Sequence, residues 1–219
     1  MKLENSFLNA LNETFEAYKI YGARSNKKLI PIHRWFAETI KKNLGNNFEV
    51  SSLGDGGELK LNGMYYPKRL DIAVSKNDKI ISTVSFKFAT SNYKQNSNNY
   101  FENLLGETAN IRRINVGFAH FLVLRAKTPY YNKGGEKIKS EILSEDDLLK
   151  YIRLFNDFDF PHKPQVLGIV IVSFDDAGNC RFADLDELNF SETTKNILSE
   201  ELSLGKFIEK FCALCILKG

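Results

Sequence analysis

Long apolar runs, cysteine, proline and a strong net charge are all scarce in this sequence. No stretch of about 18 apolar residues occurs, which excludes a hydrophobic membrane-spanning helix from the reading. Five prolines among 219 residues, with 43% apolar and 26% charged, exclude a disordered or fibrous chain. Three cysteines, Cys180, Cys212 and Cys215, are too few and odd in number for a disulfide framework. Cys212 and Cys215 form a C-x-x-C inside FIEKFCALCILK, with no second Cys or His pair at ligand spacing, and read as core residues of a terminal helix. The formal charge of +3 is too small to coat nucleic acid by bulk charge, so any such site must be a local patch. The N-terminal MKLENSFLNALNETF carries acids where a signal peptide needs an apolar run, which predicts a cytoplasmic chain. His33, His120 and His162 share no ligand spacing and read as structural. Gly56-Gly57 and Gly134-Gly135 lack the setting of a phosphate loop, and no Gly-x-Ser-x-Gly is present.

What is present is a regular alternation of elements. Ile32, Trp35, Phe36 and Ile40 recur at helical spacing after Pro31, which predicts a first core helix within 25–44. FEVSSLG (48–54), ELKLNG (58–63), RLDIAV (69–74) and KIISTVSFKFA (79–89) read as strands, the last two joined as a hairpin through Ser75 to Asp78. Helical spacing resumes from about Asn98 to Arg113, VGFAHFLVLRA (116–126) and QVLGIVIVSFD (165–175) read as buried strands, and SEDDLLKYIRLFND (144–157) as a capped helix between them. The order predicts an α/β fold, a mixed central sheet flanked by helices. One domain over 1–219 is expected, with a core at about 29–175 and a helical part at about 191–219.

The informative residues are Pro67-Lys68-Arg69-Leu70-Asp71 and, on the next strand, Val84-Ser85-Phe86-Lys87. Period-two alternation puts Ser85 and Lys87 on one strand face, with Val84, Phe86 and Phe88 on the other. An acid can hold a hard divalent cation, and a nearby lysine can position an attacking water or offset charge on a phosphate in transition. At these residues the sequence resembles the PD-(D/E)XK nuclease superfamily, over about residues 29–125. The resemblance implies a restriction-endonuclease-like core and a Mg2+-dependent type II restriction-like endonuclease acting on double-stranded DNA. It makes Asp71 the metal-binding acid and Lys87 the motif lysine, with three residues interposed between Pro67 and Asp71. Ser85 stands where the second acid belongs. Some restriction enzymes carry Ser-x-Lys with the acid moved to the following helix, and the run KFATSNYKQNSNNYFENLLGETANIRR is similar to the block that follows the motif lysine in such enzymes. That resemblance makes Glu102, 15 residues after Lys87, the first choice for the second metal ligand. Glu107 is the second choice, because five residues of helix turn it about 140° away and only one of the two can face the cleft. By the same resemblance Glu38 supplies an outer carboxylate, with Glu58 competing for the role.

Between Ser91 and Asn103, Asn92, Tyr93, Lys94, Gln95 and Asn96 have side chains that hydrogen-bond phosphates and base edges, and a loop here would lie along the DNA. Arg112 and Arg113, with Lys94, are the candidate local patch. Cutting a duplex at a symmetric site needs two active sites, so a homodimer is expected, with the C-terminal helix offering an apolar face. A non-catalytic DNA-binding protein on a decayed nuclease fold is the alternative, with Ser85 as its sign. The plainer account pairs Asp71 with Lys68 or Arg69 at a surface, extends Lys87 along the sheet to water, and leaves Glu102 and Glu107 as solvated helix acids.

Overall fold

The computed structural model describes residues 2–22, 25–132, 134–175 and 178–219. Helix α1 (Leu3–Tyr21) is followed by a short 3-10 turn and by α2 (Ile30–Leu44), which starts with a proline in its first turn and ends at Gly45, where φ is 75°. Strands β1 (Glu49–Ser52), β2 (Lys60–Asn62), β3 (Pro67–Arg69), β4 (Ile72–Lys76) and β5 (Lys79–Phe88) come next. Then follow α3 (Tyr93–Arg112), β6 (Gly117–Arg125), β7 (Lys127–Tyr131), β8 (Lys137–Ile142), α4 (Glu145–Asn156), β9 (Val166–Phe174) and β10 (Cys180–Phe182). The chain ends with α5 (Glu192–Asn196), a π-helical turn, and α6 (Leu204–Lys218).

The main sheet has the order β1-β4-β5-β6-β9-β10, parallel through β5, β6 and β9 and antiparallel elsewhere. The β4–β5 turn is made by Asn77 and Asp78, both at positive φ as a two-residue hairpin requires. Helices cover both faces. Val84, Phe86, Phe121 and Val123 pack with α1, α2 and α6 on one side, whereas Ala73, Phe118, Leu122 and Leu124 pack with α3 and α4 on the other. The α/β class and mixed sheet are as the sequence predicts, and consistent with a restriction-endonuclease-like core. Among the described residues no helix is long and apolar enough to cross a membrane.

Four local expectations need correction. The first helix of the chain is α1, whose Phe7 and Leu11 are fully buried in the core, so the core begins well before residue 29. The run 69–74 is not one strand: it breaks at Leu70 and Asp71, where the chain leaves the small β2–β3 hairpin and enters the main sheet. The amide-rich stretch is not a loop but the first turns of α3. Finally, α6 spends its apolar face, including Phe207, Phe211, Cys212 and Cys215, on its own sheet, and of its large apolar side chains leaves Ile216 and Leu217 exposed.

Candidate active site

Asp71 sits at the bend that ends the small hairpin, and its Oδ2 accepts the backbone N–H of Phe86 at 2.9 Å. That bond seats the carboxylate against β5 between Ser85 and Lys87. Burial raises the Asp71 pKa to about 6, against the lowering effect of the Phe86 N–H, and the neighbouring charges of Glu107 and Glu58 raise it further. Ser85 and Lys87 share the face that looks toward α3, as alternation requires. The Lys87 ammonium lies 4.4 Å from the centre of the Tyr100 ring. Burial pulls the Lys87 pKa below the ordinary lysine value, opposed by Asp71 and Glu107.

The helix carboxylate that completes this group is Glu107. It accepts a hydrogen bond from Ser85 Oγ at 3.1 Å and forms an ion pair with Lys68 of β3. Burial alone would lower the Lys68 pKa, but the Glu107 carboxylate overcomes it and the pKa is raised. Glu102 is exposed on another side of α3, where its charge acts on Lys150 of α4. The expectation that Glu102 rather than Glu107 faces the strand is therefore corrected, and the reason is helical phase. Leu104 is fully packed, and Glu107 three residues on shares its side, whereas Glu102 is about 200° round from it. Glu38 is displaced as well. It is exposed on α2, in a groove with Glu13 and Arg34, because α2 covers the opposite face of the sheet. Glu58, in the segment before β2, stays close enough to bear on Asp71.

A buried amide holds the small hairpin against α3. Asn110 Oδ1 accepts the N–H groups of Tyr65 and Tyr66 at 2.8 and 3.2 Å, and its Nδ2 donates to the Tyr66 carbonyl at 3.0 Å. A Cβ at Gly63 would stand 2.2 Å from Nδ2 of Asn110, so only glycine permits this approach. Asn110 thereby sets where Lys68 meets Glu107. Neither Asn110 nor Gly63 stood out in the sequence, although a polar side chain one turn after a candidate acid was a usable signal.

His120, read as structural from the sequence, lies beside Ser85 in the β5–β6 register. Its Nδ1 is buried with no hydrogen-bond partner among the described residues, and burial, with the charges of Lys87 and Lys68, lowers its pKa to about 3. It is a neutral wall of the site.

The proposed DNA residues are dispersed. Tyr93 is buried with its hydroxyl on the Asp147 carbonyl, and Asn92 is engaged with the backbone of Tyr131 through both ends of its amide. Asn96 donates to the Asn92 carbonyl, Gln95 is exposed, and Lys94 pairs with Asp147 at 3.2 Å. Arg112 is held at the far end of α3, about 27 Å away by helical rise, by the Phe160 and Lys163 carbonyls and by Asp159. Arg113 lies against Tyr65. Lys94, Arg112 and Arg113 do not form one patch.

The site thus presents two carboxylates on one sheet face beside two lysines. Among the described residues no three His, Cys, Asp or Glu side chains are grouped so as to hold a metal ion. Asp71 and Glu107 could hold a hard cation that completes its shell with water and phosphate oxygens, the mode Mg2+ favours.

The chain is similar to the small subunit of the heterodimeric restriction endonuclease R.BspD6I, at 9% identity and a TM-score of 0.37, over 96% of this chain and 99% of that one. No protein-family model matches the chain, and no curated protein matches it in sequence.

Proposed function

We propose that this chain is a Mg2+-dependent endonuclease of the type II restriction class, hydrolysing phosphodiester bonds of duplex DNA. The observation that carries the reading is the meeting of Asp71, Lys87 and Glu107 around Ser85, from three separate elements, on one sheet face. Asp71 and Glu107 are the residues that would hold the cation, and when bound it supplies Lewis-acid polarisation of the scissile phosphate. Ser85 and Lys68 fix the orientation of the Glu107 carboxylate. Lys87, whose ammonium is destabilised by burial, in its neutral amine form orients the attacking water and takes its proton as the water oxygen bonds to phosphorus, while the P–O bond to the leaving oxygen breaks and that oxygen takes a proton from solvent. Positioned charge of this kind is a large term in phosphoryl transfer. Two strands are cut by two such sites, so the working form is a homodimer.

The second reading, a DNA-binding protein that has lost its metal site, is favoured by Ser85 in place of an acid and by the two-carboxylate donor set. A plasmid digest separates them. The nuclease reading expects wild-type protein to cut supercoiled plasmid in Mg2+ but not in EDTA, and Asp71→Asn to cut in neither. Intact plasmid with wild-type protein and Mg2+ overturns it.

A further inference from the structure

The parallel strands β5, β6 and β9 all end at one edge of the sheet, and Lys87 is close to that edge. Past it, between the β7–β8 hairpin and β10, lies a polar cavity of about 480 Å3. Four cations line it: Arg125, Lys127, Lys137 and Arg181. Glu187 is the one acid in the lining, and among the described residues none of the four cations forms an ion pair. Arg125 is already engaged on the α1 side of the sheet. Its guanidinium lies 4.6 Å from the ring centre of Phe174 and 5.4 Å from that of Phe15, and Nη1 donates to the Thr90 carbonyl at 3.1 Å. Among the described residues its Nε is buried without a partner. The Lys127 and Lys137 ammonium groups and the Arg181 guanidinium around one concavity, with Glu187 the one acid beside them, call for an anion with several oxygens.

Register relates the cavity to the site. Lys87 pairs with Leu122, Arg125 with Val172 and Arg181 with Ser173. One strand across and three residues along put the Cα of Arg125 roughly 11 Å from that of Lys87, with its side chain on the opposite, α1 face of the sheet over Phe15, whereas Arg181, between Cys180 and Phe182 that face the other core, falls at roughly 20 Å on the Lys87 face. Thr90, which holds Arg125, belongs to the segment joining β5 to α3. A duplex presents a phosphate on each strand about every 3.4 Å of axis, so one backbone entering the site would continue over this cavity.

We propose that the cavity is a second phosphate-binding site, which grips the DNA backbone a few nucleotides from the position of cleavage through Lys127, Lys137 and Arg181. The inference rests on the nuclease reading for its choice of DNA. Its test is the affinity of the full chain for a fluorescent duplex in Ca2+, between about 50 and 200 mM salt. The double variant Lys127→Gln/Arg181→Gln is compared with Lys41→Gln/Lys42→Gln, an equal charge change at an exposed part of α2. The first is expected to bind at least tenfold more weakly and to flatten the slope of log affinity against log salt by about 1.8, two lost phosphate contacts. The second is expected to bind like wild type. Unchanged affinity in the first variant, an equal loss in the second, or absence of DNA binding by the wild type overturns the proposal. So does calorimetric binding of inorganic phosphate that the first variant loses while its DNA affinity is kept, since the site would then serve a free anion. Cleavage by the wild type is scored separately with Mg2+. Cleavage without the affinity change sinks this site alone, and the affinity change without cleavage sinks the nuclease reading alone.

Discussion

Ser85 Oγ donates to the Glu107 carboxylate at 3.1 Å, so the strand position that lacks an acid is hydrogen-bonded to a helix acid beside it. The oxygen at 85 and the carboxylate at 107 occupy adjoining space, which makes an exchange of the two a physical possibility.

Glu107→Gln is expected to lower Mg2+-dependent cleavage at least about a hundredfold, the cost of removing a positioned charge. Glu102→Gln should stay within a few-fold of wild type. Single-turnover rates on plasmid DNA decide it, and a larger loss in the Glu102 variant would return the metal role to that residue.

If the carboxylate can be supplied from either side, Ser85→Glu combined with Glu107→Ser should regain part of the rate that Glu107→Ser loses. Recovery will be incomplete, because a displacement of about 1 Å can cost a hundredfold. No recovery, in a double variant that still binds Ca2+, would show that the strand carboxylate cannot reach the cation.

Asp71 carries a pKa of about 6 in the fold, above its ordinary value of 3.8. Its raised value means that ionisation opposes folding: the stability associated with the neutral acid is present below about pH 4 and is lost as pH rises through 6. Asp71→Asn, which keeps an acceptor for the Phe86 N–H, should therefore melt higher than wild type at pH 8 without metal and equally at pH 4. Cleavage by the wild type should fall as pH drops through about 6, with the midpoint moving lower as Mg2+ is raised. A variant that melts lower at pH 8 would contradict the burial argument.

His33 of α2 is buried against Phe86 with both ring nitrogens unpartnered among the described residues, and burial lowers its pKa to about 4 from 6.5. The unfolded chain takes up the proton first, so stability is lost as pH falls from 6.5 toward 4, by an amount on the order of 3 kcal/mol. His33→Leu removes no hydrogen bond and should flatten that part of the curve in urea titrations. An unchanged slope would assign the acid loss elsewhere, with His120 the next to replace.

Asn110→Ala should cost about 1 to 2 kcal/mol, a low figure for three lost bonds because Tyr65 and Tyr66 can turn to water. It should also slow cleavage and weaken Mg2+ binding, since Lys68, which orients the Glu107 carboxylate, moves with the hairpin while Asp71 keeps its bond to Phe86. Stability loss with full activity would make Asn110 structural only.

Much of the architecture was legible in the order of residues. Apolar runs at 117–125 and 166–174 can only be strands covered on both faces, and alternation alone put Ser85 and Lys87 together, because side-chain direction in a strand is a local property. The capping box of Ser144 and Asp147 marked α4 for the same reason. Two things were not local. The choice between Glu102 and Glu107 depends on how α3 is rotated against the sheet, which Leu104, Thr108 and Ile111 fix by packing, and on Asn110 drawing the small hairpin onto the helix. The dispersal of Lys94 and Arg112 was likewise decided by α3 running its full length from Tyr93, which holds them at opposite ends of one rod. Sequence by itself determined the face on which the chemistry lies, since a two-residue period needs no partner. Only the tertiary structure decided which acid reaches that face, because helix rotation is set by contacts between elements far apart in the chain.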